Sequence, residues 1–252
     1  MSLLTHLASA PAIGLTDLVA DAAMLTRVDR KYLLTSADAD AIADALPAEM
    51  AVLTIDGQRS FAYRSAYFDT PDLDAYMGAG RGRRRRFKVR TREYLDSGTC
   101  WLEVKTRGPR GTTVKQRIAH DTPDAIDAEF VAQIFADHHI EVDASQLTPV
   151  LRTEYRRMTI HLHGDIGRPT TRATIDSDLA WTDLPDEVRL ELPNLVVVET
   201  KGYPAPSDLD RALWRHGHRP DRISKFGLGL AALRPDLPEL KWRRSIDAAL
   251  AA

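Results

Sequence analysis

Residues 81–94 read RGRRRRFKVRTREY: seven arginines and one lysine in fourteen positions, in a chain whose formal net charge is only -2. If Phe87 and Val89 form the apolar face of a β-strand, period-2 alternation puts Arg84, Arg86, Lys88, Arg90 and Arg92 on the other. Such a face would be costly to bury dry and unpaired. It must meet water or a polyanion, and the fold depends on what the neighbouring strands set beside it.

The alternation recurs along the chain. Strands are expected near 27–34, 60–69, 83–94, 100–107, 112–119, 151–162, 171–179 and 194–202, about eight in all, with a short extra one near 187–191. Their faces sort alike. Lys31 shares a side with Arg27 and Asp29, and Lys105 with Trp101, Glu103 and Arg107. Lys115 goes with Arg117, Arg157 with Tyr155, Thr159 and His161, Arg172 with Asp176 and Asp178, and Glu199 with Lys201. Helical stripes fill the gaps. An N-terminal helix at about 13–25 carries Leu15, Leu18, Val19, Ala22 and Leu25. Ser36 caps a second helix that Pro47 ends, and Thr122-Pro123 opens a third with Ile126, Phe130 and Ile134. C-terminal helices span about 207–250, starting at a Ser207 cap and including segments near 222–232 and 241–250.

Alternation alone fits two architectures. In a sandwich the charged faces look at solvent; in a closed barrel they line a lumen. Composition favours the second. A solvated face mixes Thr, Gln, Glu and Lys, whereas these faces concentrate Arg and Lys around isolated carboxylates. The expected fold is α+β, a closed antiparallel β-barrel of about eight strands forming a basic-lined tunnel jacketed by helices. A single domain over 1–252 is expected.

With 34 Lys+Arg against 36 Asp+Glu, attraction for a polyanion must come from local sorting of charge. The lone Cys100 allows no internal disulfide, points to a reducing compartment and shares parity with Leu102 and Val104, as a packed thiol would. Asp17 and Asp21 and the lack of a basic n-region argue against a signal peptide or membrane span, so a soluble, cytoplasmic protein is expected. His161/His163 and His216/His218 lack further ligands at a zinc spacing. GLGL at 227–230 does not read as a phosphate loop. Aromatic residues are 7%, and the basic residues alternate, which disfavours nucleic acid.

Arginine's planar fork binds phosphate oxygens bidentately, and lysine adds a point charge. Mg²⁺ or Mn²⁺ takes oxygen ligands, often one or two carboxylates plus the phosphates. Glu199, Glu103, Asp29, Asp176 and Asp178 are the carboxylates on the charged faces.

The segments RVDRKYLL, YRSAYFDTPDLDAY, FKVRTREY, LEVKTRG, VKQR, LRTEYRRM, TRATIDSDL, VVVETKGYP and ISKFGLGL run in order from residue 27 to about 230. Together they resemble the triphosphate tunnel metalloenzymes, and within them the VTC-type polyphosphate polymerase domain. The resemblance implies a metal-dependent transfer of the γ-phosphate of ATP to a growing polyphosphate chain, with Mn²⁺ or Mg²⁺ as cofactor. It assigns phosphate contacts to Lys31, Arg90, Arg92, Lys105, Lys115, Arg157 and Arg172, the metal to Glu199, and the reaction centre to Lys225, with Ser224 beside it. Any membrane partner would be a separate protein. One segment departs from the superfamily's Glu-x-Glu-x-Lys strand, reading Arg27-Val28-Asp29-Arg30-Lys31. That departure weakens a hydrolase that activates water on its carboxylates. A tunnel triphosphatase and a non-catalytic polyphosphate binder remain the alternatives, and Glu199 with Lys225 argues against the binder.

Overall fold

The computed structural model describes residues 2–20, 28–46, 49–163 and 170–251. The chain begins with α1 (Leu3–Ser9), β1 (Ala12–Ile13), α2 (Leu15–Ala20), β2 (Val28–Thr35), α3 (Ser36–Ala41) and β3 (Met50–Leu53). It continues through β4 (Phe61–Asp69), α4 (Asp74–Gly80), β5 (Phe87–Tyr94), β6 (Thr99–Arg107), β7 (Thr113–Ala119) and α5 (Ala128–Asp137). The last part holds β8 (Thr148–Leu162), β9 (Thr171–Asp183), β10 (Arg189–Leu192), β11 (Leu195–Gly202), α6 (Asp208–Arg215), α7 (Lys225–Leu233) and α8 (Arg243–Leu250).

The main sheet runs β2-β11-β9-β8-β4-β5-β6-β7, every neighbouring pair antiparallel. Strand β3 pairs with β8, β1 with β3, and β10 with β9. The expected closed barrel does not form, because β2 and β7 end the sheet without pairing. A physical reason lies on β2. Its Lys31 carbonyl accepts the Asp221 N–H at 2.8 Å, so the segment leading into α7 occupies an edge that a closing strand would need. The open sheet still curls. Register shifts at Tyr67/Phe68 and between Glu154 and Arg156, and the left-handed Asp178 (φ 52), are bulge-like features that increase twist. Asp178 is thereby turned out to solvent, away from the face of Asp176 on which alternation had placed it.

The outer faces carry the core. Phe87, Val89, Leu102 and Val104 are buried with Val131, Ile134 and Phe135 of α5, and the rings of Phe87 and Phe135 lie 4.7 Å apart. Tyr32, Leu34, Ile160, Ile175 and Val198 are buried with α1 and α6 through Leu7, Leu209 and Leu213. Each such side chain contributes about 1.5–3 kcal/mol when fully buried, which holds the outward parity of every strand. Cys100 is half-buried.

Several boundaries move. β5 starts at Phe87, so Arg84 and Arg86 belong to the turn after α4 and the basic strand face shrinks to Lys88, Arg90 and Arg92. The helix expected from Ser36 is capped one residue earlier: Thr35 Oγ1 accepts the Asp38 N–H at 3.0 Å, and after Ala41 the helix gives way to a 3₁₀ turn. Pro47 lies outside the described residues. The helix expected from Thr122 begins at Ala128, where Asp127 accepts the Phe130 N–H at 2.9 Å. α2 covers 15–20 of the expected 13–25, and Ala22, Leu25 and Arg27 also lie outside the described residues.

Helix α4 hangs on one carboxylate. Asp69 is fully buried and accepts the N–H groups of Thr70, Ala75 and Tyr76 at 2.8–2.9 Å. Asp69→Ala leaves three buried donors unpaired, and a loss of about 2–4 kcal/mol is expected. Urea unfolding checks it; Asp69→Asn, which keeps one acceptor, should lose less.

Candidate phosphate-binding site

The concave face encloses a cavity of about 900 Å³ lined from both end strands, by Lys31 on β2 and Lys115 on β7, and by the start of α7. Eleven cationic and four acidic side chains line it. Register stacks them in rows. Lys88, Lys105 and Lys115 stand directly opposite one another across β5, β6 and β7, and the next row is Arg90, Glu103 and Arg117. On the facing wall Lys31, Glu199 and Thr174 form one row, and Asp29, Lys201 and Arg172 the next. Like charges set opposite one another destabilise a sheet. The cavity therefore needs counter-ions.

Two are built in. Glu103 is fully buried and accepts Arg90 Nε and Nη2 at 2.8 and 2.6 Å, with Lys115 on its other oxygen. Asp176, 1% exposed, accepts Arg157 Nε and Nη2 at 2.6 and 2.8 Å and the ammonium of Lys225. Burial alone would raise both carboxyl pKa values. The Arg90, Arg92 and Lys115 charges around Glu103, and the Arg157 and Lys225 charges around Asp176, outweigh it and hold both ionised well below the usual carboxylate range. Glu199 behaves likewise, held down by Lys201 at 2.8 Å and Lys31 at 3.9 Å, with Arg157 beyond them.

The remaining cations are less well matched. Burial, then Lys31, Arg90, Lys241 and Lys225, drive the Lys88 amine well below its ordinary value, while its Nζ donates to Ser224 Oγ at 2.6 Å. Arg90 first and burial second do the same to Lys105. Burial brings Lys201 down to about 8 against the pull of Glu199. The buried Nε of Arg92 has no hydrogen-bond partner among the described residues. An aromatic floor supports the charges: Tyr63 and Tyr155 stack at 5.3 Å, the Arg157 guanidinium lies 5.2 Å from each ring, and Lys225 Nζ lies 4.5 Å over Tyr155.

Lys225 is set by packing. Ser224 caps α7, and Trp181 Nε1 donates to the Lys225 carbonyl at 2.9 Å. A Cβ on Gly229 would collide with Trp181, and one on Gly227 with Trp242. The GLGL run thus brings the helix against two indoles, and its glycines serve contact.

The structure brings Lys31, Arg90, Arg92, Lys105, Lys115, Arg157, Arg172, Glu199 and Lys225 to this one cavity. Lys88, Lys201 and Arg117 join them from the same strand faces, and Asp29 is also on the wall. The anchoring roles of Glu103 and Asp176 could not be read from alternation, which shows a face but not a partner. Trp101 lines the far end under the Arg117 guanidinium at 4.2 Å. The rings of His161 and His163 meet at 4.6 Å. No group of three or more His, Cys, Asp or Glu able to hold a metal gathers among the described residues, and none of their helices is long and apolar enough to cross a membrane.

With its amine brought down to about 8, Lys201 is partly neutral near that pH in the free protein, and a bound anion favours its charged form. Triphosphate binding there should take up protons, seen calorimetrically as a binding heat that varies with buffer ionisation enthalpy. Lys201→Arg should reduce the uptake; a heat independent of buffer would contradict it.

The chain is similar in structure to several solved proteins at low identity. Hippeastrum HpAC1, described as an adenylyl cyclase candidate with a dominant triphosphatase activity, shares 13% identity, covering 86% of this chain and 99% of that one at a TM-score of 0.45. PH1012 of Pyrococcus horikoshii shares 9%, covering 76% and 90% at 0.41. An adenylate cyclase candidate of Vibrio parahaemolyticus shares 12%, covering 76% and 83% at 0.38. No curated protein matches. The family model of the VTC domain matches residues 26–234, and the chain belongs to the VTC-domain family.

Proposed function

We propose that this chain is a metal-dependent polyphosphate polymerase, transferring the γ-phosphate of ATP to the end of an inorganic polyphosphate chain. The observation that carries the reading is the cavity wall: cations from strands at both ends of the sheet converge on one space, with Glu103 and Asp176 buried behind Arg90, Lys115, Arg157 and Lys225. A terminal phosphate oxygen of the acceptor attacks Pγ, the new P–O bond forms, and the bond from Pγ to the β-phosphate oxygen breaks. ADP leaves with the electron pair. The attacking group is an oxyanion, so no general base is required. The difficulty is bringing two polyanions together, and fixed positive charge with positioning supplies the help.

Arg90, Arg92, Lys105 and Lys115 grip phosphates from one wall, and Lys31, Arg157 and Arg172 from the other. Lys225, held by Asp176 over Tyr155, stabilises charge developing on the transferred group. A hard cation would be shared with the substrate: Glu199, an ionised, inward-facing carboxylate beside Lys201 and Lys31, would hold Mg²⁺ or Mn²⁺ together with phosphate oxygens. Such an ion, when bound, supplies neutralisation of phosphate charge. The engagement of Glu103 and Asp176 by Arg and Lys supports transfer to a phosphate over activation of water by those carboxylates.

The test is to incubate the protein with ATP and Mn²⁺ or Mg²⁺ while following ADP, free phosphate and polyphosphate together. ADP with polyphosphate and little free phosphate is expected, and Lys225→Ala should lower kcat by about 10²–10³-fold. Free phosphate without polymer would mean a triphosphatase, and binding without turnover a polyphosphate-binding module.

A further inference from the structure

Beyond the cavity, at the end marked by Lys88, four more cations gather. Arg86 immediately precedes β5 and Arg107 ends β6. Because Phe87 pairs with Thr106, the two sit one step past the Lys88–Lys105–Lys115 row. Arg222 follows Asp221, the residue that bonds the Lys31 carbonyl on the edge of β2. Lys241 lies on the 3₁₀ turn Leu240–Trp242 and donates to the Ala79 carbonyl in α4. Separate segments therefore deliver these groups to one rim.

Their charges are not balanced locally. None of the four makes an ion pair among the described residues; Arg86 instead donates to the carbonyls of Gly82 and Arg83 at 3.3 and 2.7 Å. Burial and then Arg86, Arg222, Arg107 and Lys31 push the Lys241 amine down, and burial and then Arg107 lower Arg86. Lys88, inside the cavity, feels Lys241 as well. Arg81, Arg83 and Arg84 stand exposed in the adjoining turn. The opposite end differs in character: Asp56, Asp96, Tyr94 and Trp101 line it together with the apolar α2 residues Leu15 and Val19. The Lys88 end gathers cations, whereas the far end mixes the Arg117 guanidinium with the carboxylates of Asp56 and Asp96.

We propose that Arg86, Arg107, Arg222 and Lys241 form an external collar that holds the part of a linear polyphosphate lying outside the cavity, so that the chain passes by the Lys88 end. This rests on the cavity being the phosphate site and gives that site a direction. A clustered, unpaired set of cations binds a polyanion chiefly through counter-ion release, which makes the interaction salt-dependent.

The test compares binding of tripolyphosphate, which the cavity accommodates, with that of a linear polyphosphate several times longer. The full chain is used, without ATP, so the result is independent of turnover. Neutralising the collar (Arg86→Gln, Arg107→Gln, Arg222→Gln, Lys241→Gln) should weaken the long chain by about tenfold or more near 0.1 M salt and flatten its salt dependence. Tripolyphosphate affinity should stay within about twofold of wild type. A control set with the same charge change elsewhere (Arg152→Gln, Arg189→Gln, Arg211→Gln, Arg215→Gln) should leave both ligands largely unaffected. The pair Arg222→Gln, Lys241→Gln, both exposed, gives a smaller loss of the same selectivity if the fourfold variant folds poorly. Equal weakening of both ligands, no weakening of the long chain, or an equal effect from the control set would overturn the collar. So would a single-stranded oligonucleotide that outcompetes the polyphosphate there. Failure to make polymer from ATP, with this selectivity intact, would count against the polymerase reading and leave the collar standing.

Discussion

Glu103 and Asp176 make the cavity possible. Each buried carboxylate takes both ends of an arginine fork and one lysine, so two guanidiniums and two ammoniums are fixed in a wall that would otherwise repel itself. Removing one partner of a buried pair costs about 3–5 kcal/mol, because a charge is stranded away from water. Here it would also release Arg90 and Lys115, or Arg157 and Lys225, from their places in the cavity wall. The groups that hold the wall together are the same ones proposed to face phosphate.

The open sheet serves this arrangement. The stretch before α7 takes the edge of β2, and the same stretch carries Ser224 and Lys225 into the cavity. Bulge-like shifts in β4, β8 and β9 curl the sheet far enough that Lys31 and Lys115, on its two end strands, face one space. Trp181 and Trp242 then determine how closely α7 approaches, through Gly227 and Gly229. Outside, apolar parity under α5, α1 and α6 keeps the basic residues from rotating outward.

Much of this was legible in the sequence, because strand parity is a local property. Lys88, Arg90, Arg92, Lys105, Lys115, Arg157 and Arg172 follow from alternation against Val89, Val104 and Ile160, and the cavity collects all seven. Closure is not local. The edge of β2 is met by Asp221, far away in the chain, and no pattern within either strand reports it. Parity also fails at a bulge, which is why Asp178 parted from Asp176. α4 escaped notice because seven residues with three glycines nearby carry little helical signal, and its organiser, Asp69, sits in the preceding strand. Likewise the arginines 83–86 have strand-like spacing but no apolar partners to hold them on a strand.

The proposed function makes the cavity a preformed polyanion site whose repulsion is only partly cancelled from within. The most direct measurement is the unfolding temperature of the full chain as tripolyphosphate is added without metal or nucleotide. A ligand that binds the folded state alone stabilises it by about 2.7 kcal/mol at a hundred times its Kd. A Tm that climbs steadily with the logarithm of tripolyphosphate concentration, and climbs less as salt is raised, is the expected result. A Tm unmoved by tripolyphosphate, or raised no more than by sulfate at equal ionic strength, would contradict it.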